Sequence, residues 1–382
     1  MQFKIRILYI CIDPSMGGST ASLFNLIDGI KEHIEPIVLF PEKGVGYEYF
    51  KQQGIESYVY PFIRLHEFRN NHIYDVWRKP WTWHYIKKIY FDLGCLYYVK
   101  KILSGRKVDI IHSNTSPNDI GVLLSRKLQA KHVWHVREFL DLDFHWDIYK
   151  GIIRLRKLIN QADARIAISN AIKNHWQMPD ENTWVILNAV RSKDDIIYVQ
   201  DKERYILHAS YNLSEYKGTR NAIIAFARSG IADNGYVLKL VGNCTEWYKK
   251  SLMKTINEYS IANSVKFIPC QNDIKPFFAH ATAYLMTSDF EALGRVTAEA
   301  MFYGCPVIAH ATGGSLDLIN NGETGYLYDT IDECSEIIRK ICSSAQDKVI
   351  QQAQDFVVNN LSCEVYGPKI MNVYHKLLDD KC

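Results

Sequence analysis

Two carboxylates eight positions apart are the first candidates for chemistry in this sequence. Glu291 and Glu299 stand on either side of a point where a loop after a short apolar run gives way to a helical pattern. Between them lie Ala292, Leu293, Gly294 and Arg295. At such a junction one carboxylate can meet sugar hydroxyls and the other a ribose, while the amides between them point at a phosphate. The segment predicts a binding site for a sugar nucleotide.

A lysine lies at a second junction between a strand and a helix. Lys217 directly precedes Gly218 and the helical pattern that follows. A helix dipole disfavours a cation at its N-terminus, so the position of the lysine is unfavourable. It becomes favourable if the lysine and the helix N-terminus bind an anion together. The alternative interpretation is an exposed lysine in a loop.

A third junction of this kind follows the first apolar run of the chain. Gly17 and Gly18 stand between that run and a helix, and Ser19 comes next. Paired glycines allow a ligand to approach the backbone closely, and the first amides of a helix attract phosphate or sugar groups. The spacing matches neither a dinucleotide-binding nor a Walker-type motif. A plain turn with a serine N-cap is the alternative.

The elements that position these junctions alternate along the chain. Short runs rich in β-branched residues alternate with helical patterns, a βαβ rhythm typical of parallel sheets. The predicted strands are 5–12, 36–40, 109–112, 164–168, 205–209, 236–241, 265–268, 283–286 and 306–309, and the predicted helices include 19–30, 222–229 and 247–259. The fold class is therefore α/β, with two Rossmann-like doubly wound domains facing across a cleft.

The domain boundaries follow from a polar, charged stretch over residues 187–204. We expect an N-terminal domain over 1–188 and a C-terminal domain over 189–362. A last helix within 363–382 completes the chain, and whether it crosses back onto the N-terminal domain stays open.

Composition excludes several classes of protein. Of the 382 residues, 47% are hydrophobic and 23% charged, so the chain can bury large cores and disorder is not expected as its main state. A net charge of +3 is too small for a nucleic-acid binder driven by bulk electrostatics. Nine scattered cysteines without a C-x-x-C pair favour reduced thiols and a cytoplasmic protein. No apolar run approaches the ~18 residues of a membrane span.

Six motifs in one order carry a resemblance to a known family. Glu291 and Glu299 form E-x7-E, and the other motifs are Gly17-Gly18, Lys217-Gly218, Gly304-x-Pro306, Gly313-Gly314 and Gly322-x-x-Gly325. The sequence resembles the retaining glycosyltransferase family 4 of the GT-B fold over residues 5 to about 328.

The resemblance implies a role for each motif residue. Glu291 would contact the donor sugar and stabilise positive charge at its anomeric carbon, Glu299 would bind the ribose, and Lys217 would bind the leaving diphosphate. The amides of residues 292–295 and of Gly17 and Gly18 would meet donor hydroxyls or phosphate. His135 would lie beside the reacting sugar, although a purely structural histidine is the alternative. The domain over 1–188 would bind the acceptor, with Ser19 and Arg137 as the candidates, and the domain over 189–362 would bind the nucleotide sugar.

One departure weakens the predicted phosphate clamp. The family usually has an arginine five residues before its lysine, and this position is Asn212. Arg220 or Arg295 could supply the missing charge.

No Asp-x-Asp stands where it would hold a metal-bound diphosphate, so the expectation is a metal-independent reaction without a cofactor. The donor would be UDP- or GDP-linked, and the leaving diphosphate would accept the acceptor's proton in a front-face attack.

The basic aromatic segment, residues 62–107, lies outside these motifs. It holds ten Lys and Arg against three acids. One interpretation is an elaborated helix pair whose lysines are solvated and whose aromatic residues are buried. The other is an interfacial surface on which aromatic side chains and four lysines meet anionic lipid. Those lysines are Lys87, Lys88, Lys100 and Lys101.

The sequence thus predicts a glycosyltransferase of the cytoplasm, or of the inner face of the cell membrane, that builds a cell-surface polysaccharide. Its partners would be a nucleotide sugar and a glycan or lipid-linked acceptor. Two rivals stay open: a non-catalytic relative that binds sugar nucleotides or glycans, which Asn212 favours, and a sugar-nucleotide epimerase of the same fold.

Overall fold

Two parallel sheets, each in its own compact unit, form the architecture of the protein. The computed structural model describes residues 4–63, 65–68, 81–148 and 150–379, with the backbone alone at 66–68 and 81–85. Unit 1 comprises Met1–Ala189 and Glu364–Cys382, and unit 2 comprises Val190–Cys363.

Unit 1 contains a seven-stranded parallel sheet and a short antiparallel ribbon. Its strands are β1 Ile5–Ile10, β2 Ile34–Phe40, β3 Glu56–Val59, β4 His66–Phe68, β5 Ile110–Ser113, β6 Lys131–Val136, β7 Trp146–Ile148, β8 Ala164–Ala167 and β9 Thr183–Val185. The sheet order is β3-β2-β1-β5-β6-β8-β9, and β4 pairs with β7. Strands of such a sheet are covered on both faces, which is why they read as nearly continuous apolar runs.

Unit 2 contains a six-stranded parallel sheet. Its strands are β10 Glu203–Asn212, β11 Val237–Asn243, β12 Val265–Ile268, β13 Ala281–Met286, β14 Val307–His310 and β15 Tyr326–Tyr328, in the order β12-β11-β10-β13-β14-β15. Strands β10 and β13 are adjacent, so the loops that follow them leave the same edge of the sheet. The predicted pair of doubly wound sheets is confirmed.

Helices join and flank the strands. They are α1 Gly18–Ile30, α2 Val45–Gln52, α3 Trp81–Leu103, α4 Ile120–Leu128, α5 Ile152–Asn160, α6 Asn170–His175, α7 Thr219–Ser229, α8 Glu246–Glu258, α9 Lys275–His280, α10 Arg295–Phe302, α11 Ser315–Leu318, α12 Ile331–Ser343, α13 Asp347–Leu361 and α14 Cys363–Asp379. In the described part of the chain, no helix has the length and apolar character needed to cross a membrane.

The last helix, α14, contributes buried tyrosines to unit 1. The Tyr374 hydroxyl contacts Nδ1 of His112 on β5 at 2.8 Å and the hydroxyl of Tyr9 on β1 at 3.3 Å. All three side chains are buried. These contacts fix the end of the chain against the sheet of unit 1.

The basic aromatic segment is only partly described. Trp77 lies outside the described residues, as do the side chains of Trp81, Trp83 and Tyr85. One prediction about it is wrong: Lys88 is not at the surface but 7% exposed, because two carboxylates bind its ammonium group inside unit 1.

Candidate active site

The candidate site in unit 2 lies where three loops leave the carboxyl edge of its sheet. The loops follow β10, β13 and β14, and two of them lead into the helices α7 and α10. Open α/β sheets bind ligands at this edge.

Gly218 fixes the first loop against the second. Its φ of +66° is in the left-handed region, and a Cβ at this position would lie 1.9 Å from the carbonyl oxygen of Thr287. The Thr287 hydroxyl donates to the Gly218 carbonyl at 2.8 Å. Only glycine allows this approach, and the approach brings the neighbouring lysine to the loop after β13.

Lys217 and Glu291 meet at this contact. The lysine Nζ donates to the glutamate Oε1 at 2.6 Å, and the Ser288 hydroxyl donates to the same oxygen at 3.1 Å. The third loop holds the glutamate backbone, since the amide of Gly314 donates to the Glu291 carbonyl at 2.7 Å. At Gly313, with φ +56°, a Cβ would lie 2.4 Å from that carbonyl oxygen. The paired glycines therefore let the third loop pack against the carboxylate-bearing loop.

Two helices begin at this edge without a side-chain cap. The N-cap residues are Gly218 for α7 and Gly294 for α10, and neither helix has an acid in its first turn. Leu293 is buried and its Cα packs on Gly314, while Ala292 is half-buried. Uncapped helix N-termini attract anions, and Arg295 adds a cation to the first turn of α10.

Glu299, one turn further along α10, is held by an arginine that the sequence analysis did not select. Arg191 donates from its terminal nitrogen to Oε1 of Glu299 at 2.9 Å, and its guanidinium lies 5.8 Å from the centre of the Tyr303 ring. The glutamate side chain is 15% exposed. The carboxylate is thus oriented before any ligand arrives, with part of its surface still accessible. Arg191 lies in the polar stretch 187–204 between the two predicted domains, and this position was its only signal in the sequence.

The missing arginine of the phosphate clamp is not replaced by Arg220. Asn212, the last residue of β10, is exposed. The Arg220 guanidinium is bound by Glu215 at 3.1 Å, by Ser251 at 2.8 Å and by Thr255 at 2.6 Å. Its hydrogen bonds therefore direct it onto α8 and onto the carboxylate of its own loop.

His208, a second residue that sequence reasoning missed, supports the start of α7. Its Nδ1 contacts the Leu285 carbonyl at 3.0 Å and its Nε2 contacts the Thr219 hydroxyl at 3.2 Å. Burial lowers the pKa of His208 to about 4, with a smaller contribution of the same sign from Lys217. The imidazole is neutral at pH 7 and can connect β10, β13 and α7 through both nitrogens.

In unit 1, the two glycines after β1 lie in a tightly hydrogen-bonded loop. The Asp13 carboxylate accepts from the Ser15 amide at 2.9 Å, and the Ser15 hydroxyl oxygen accepts from the Gly17 amide at 3.1 Å. A Cβ on Gly17 would lie 2.5 Å from the Asp13 carboxylate, so this position favours glycine for space rather than for its φ. Gly18 is exposed and Ser19 half-buried at the start of α1.

Asn114 connects three of the predicted residues of unit 1. Its side-chain amide donates to the Ser19 carbonyl at 3.1 Å, and its side-chain oxygen accepts from Arg137 at 2.9 Å. The arginine in turn contacts Nδ1 of His135 at 3.3 Å. Ser19, Arg137 and His135 are thus linked in one hydrogen-bonded chain inside this unit.

Arg137, one of the two candidates for the acceptor, is buried in unit 1. It is 4% exposed, and its guanidinium also donates to the side chain of Asn188 and to the Tyr366 hydroxyl. These partners are all uncharged. The geometry makes Arg137 a structural support of His135.

His135 is fully buried, and its ring is neutral. Burial, followed by the charge of Arg137 and by His112, holds the pKa of His135 well below its usual range. A guanidinium only donates, so the contact to Nδ1 is a hydrogen bond only in the tautomer whose proton is on Nε2. Among the described residues, no hydrogen-bond partner reaches that Nε2. Nε2 of His135 is therefore a buried donor without an acceptor among the described residues.

The chemistry available to unit 2 is the binding of an anion beside a polyol. Lys217 and two helix N-termini favour negative charge, and Glu291 and Glu299 can accept hydrogen bonds from hydroxyls. In the described residues, no three His, Cys, Asp or Glu side chains group as a metal site.

Two parallel-sheet α/β units with such a site define a protein of the GT-B fold. The family model "Glycosyltransferase Family 4" matches residues 16–193, and the family model "Glycosyl transferases group 1" matches residues 190–356. The chain belongs to the glycosyltransferases of this family 4 type, as its motifs predicted.

Individual relatives agree with this assignment. The N-acetyl-alpha-D-glucosaminyl L-malate synthase of Bacillus anthracis is 23% identical over 99% of both chains. The lipopolysaccharide core biosynthesis glycosyltransferase LpsE of Rhizobium meliloti is 28% identical over 44% of this chain and 47% of its own length. Among solved structures, HepE of Anabaena in complex with UDP has a TM-score of 0.78 at 20% identity, covering 97% of this chain and 100% of that chain. This last likeness concerns the fold.

Proposed function

We propose that this protein is a retaining, metal-independent glycosyltransferase that moves a sugar from a nucleoside diphosphate sugar to a glycan or lipid-linked acceptor in the building of a cell-surface polysaccharide. The observation that carries the proposal is the 2.6 Å contact between Lys217 and Glu291 at an edge where two uncapped helices begin. Two similar proteins add support: LpsE is a glycosyltransferase of lipopolysaccharide core biosynthesis, and HepE was solved in complex with UDP.

In this proposal different groups of unit 2 bind different parts of the donor. Lys217 and the N-termini of α7 and α10 hold the diphosphate. In metal-dependent enzymes a bound metal ion has this role. Glu291 accepts hydrogen bonds from the sugar and stabilises positive charge as the glycosidic bond to the nucleotide lengthens. Glu299, fixed by Arg191, accepts from the ribose hydroxyls.

The acceptor hydroxyl attacks on the face from which the diphosphate departs, and configuration is retained. A diphosphate oxygen takes the acceptor's proton, so the step needs no protein base. His135 donates from Nε2 to an oxygen of the reacting sugar. We propose no bound cofactor beyond the UDP- or GDP-linked donor.

Donor turnover tests the proposal directly. Hydrolysis of UDP-, GDP- and ADP-linked sugars is measured with and without EDTA, and NMR follows the anomeric configuration of the first product. We expect one nucleotide class to be turned over with retention and without loss in EDTA. Glu291→Gln should lower the rate at least ~100-fold. The matched control is Glu336→Gln, an exposed carboxylate on α12, which should leave the rate unchanged.

A non-catalytic donor-binding protein is the second candidate, and the exposed Asn212 in place of a second cation favours it. Calorimetric binding of a nucleotide sugar without hydrolysis or transfer, in the presence of candidate acceptors, would replace the first proposal with this one. Inverted product, or activity abolished by EDTA and restored by a divalent metal, would overturn the stated mechanism.

A further inference from the structure

Helix α3 is apolar on two opposite faces. One face is in the core of unit 1, where Cys95, Val99 and Leu103 are buried and pack with residues of β1 and β2. Large apolar side chains also project on the outside. They are Ile86 (59% exposed), Ile89 (41%), Tyr90 (73%), Leu93 (56%) and Tyr97 (74%), called here the outer stripe. A surface helix normally has polar residues in such positions.

The outer stripe is a continuous feature and not a set of scattered residues. At 3.6 residues per turn, its five side chains fall within an arc of about 100° and extend over roughly 16 Å of helix. An exposed apolar group of this size marks an interaction surface, whereas single exposed apolar residues need no explanation.

The charges around the outer stripe have one sign. Lys87, Lys100 and Lys101 are exposed near its margins. Lys88 and Asp92 point inward and neutralise each other at 2.6 Å. Within the described residues 86–103, every exposed ionised side chain is therefore a lysine.

We propose that the outer stripe of α3 binds the surface of an anionic lipid bilayer, with the helix lying along the interface. The aliphatic residues enter the boundary between headgroups and acyl chains, tyrosines suit headgroup depth, and the lysines meet lipid phosphates. A second copy of this chain is a poor occupant, because pairing two outer stripes brings lysines against lysines in either orientation. The face of a single helix is convex, so it can also lie along the flat surface of a bilayer. This inference stands independently of the transfer reaction.

Vesicle flotation of the whole 382-residue chain tests the inference. The vesicles contain phosphatidylcholine alone or with 30% phosphatidylglycerol. We expect binding to the anionic vesicles that salt weakens, and little binding to the neutral ones. The triple variant Tyr90→Ser, Leu93→Ser and Tyr97→Ser should lower the partition coefficient at least ~10-fold, because it removes most of the inserted apolar surface.

Two matched controls separate the outer stripe from general effects. Trp247→Ser removes an equally exposed aromatic side chain from α8 and should not change binding. Lys100→Glu with Lys101→Glu should weaken binding to anionic vesicles, whereas Lys250→Glu with Lys254→Glu, a pair of exposed lysines on α8, should not. Circular dichroism and donor hydrolysis of each variant should match the unmodified protein, since none of these residues lies in the active site.

Three results would overturn the inference. The first is no binding of the unmodified protein to anionic vesicles. The second is equal loss of binding in the stripe variant and in its α8 controls. The third is a concentration-dependent dimer, measured by light scattering, that the triple variant abolishes while vesicle binding is unchanged. Failure of donor turnover would leave vesicle binding intact, so the two proposals fail separately.

Discussion

The ion pair of Lys217 and Glu291 should matter for catalysis far more than for folding. The lysine side chain is 41% exposed and the glutamate 20%, and their atoms are 2.6 Å apart. Solvent screens a pair of this kind, so it contributes about 0–1 kcal/mol to the free energy of unfolding. In the proposed reaction the same lysine faces the charge that develops on the diphosphate. Losing such a contact costs ~100-fold or more in rate, or at least ~2.7 kcal/mol.

A double-mutant cycle measures both quantities. Lys217→Ala, Glu291→Ala and the double variant are compared by urea unfolding and by donor hydrolysis. We expect each to unfold within about 1 kcal/mol of the unmodified protein. Each single variant should lose at least ~100-fold in kcat, and the double variant should lose much less than the product, because both residues act on one donor.

The control cycle uses an ion pair of the same unit outside the site. Arg228 and Asp332 are 2.8 Å apart, with side chains 45% and 76% exposed. Replacing either by alanine should change neither stability nor rate appreciably. The reasoning is refuted if Lys217→Ala unfolds several kcal/mol more easily yet keeps its rate per folded molecule, because the lysine would then be structural.

Three further predictions concern residues that support the site. Replacing Arg191 by Met frees Glu299, so the KM for the donor should rise ~10-fold with kcat nearly unchanged, as for a contact made equally in ground and transition states; a fall in kcat at constant KM would contradict this. His208 has a pKa of about 4 when folded against 6.5 ordinarily, so the unfolded chain takes up the proton first, and stability that is complete above pH 6.5 declines as pH falls towards 4. Between pH 7.5 and 5.0 this histidine should account for ~2 kcal/mol of the loss, and urea unfolding of His208→Gln should lack that share. Gly218→Ala combines a φ of +66° with a backbone clash and should cost roughly 2–5 kcal/mol. Gly322→Ala, with φ +80° and open space, should cost only ~1–2 kcal/mol, and equal urea midpoints would show that the clash is relieved.

Most of the fold could be predicted because buried parallel strands leave a direct signal. The predicted strand 265–268 coincides with β12, and the predicted strand 205–209 is the buried centre of β10. The ends of β10 extend to Glu203 and Asn212, which are exposed and polar, so hydrophobicity does not mark them. The glycines of the site could also be predicted, as residues of motifs. The structure gives the physical reason, because a Cβ at Gly218 or Gly313 would collide with a neighbouring backbone.

The environment of the charged residues could not be predicted in the same way. Lys88 reads as a surface lysine, yet Asp119, 31 positions along the chain, binds it at 2.6 Å. Arg137 reads as a candidate for binding the acceptor, yet Asn114 and Tyr366 come from other elements to bind it. Helical spacing could suggest Asp92, four positions along α3, as a partner of Lys88, but the partners that complete the burial of these charges come from other elements.

The tautomer of His135 bears on which group accepts a proton in the proposed reaction. Burial keeps the ring neutral, and in the tautomer that lets Nδ1 accept from Arg137 the proton is on Nε2. A nitrogen that already carries a proton cannot take one from an acceptor hydroxyl, so Nε2 is suited to donate and unsuited to act as a base. In unit 2, Glu291 is already engaged by Lys217 and Ser288 through one oxygen. The protein groups assigned to the donor thus favour a mechanism in which the departing diphosphate takes the proton.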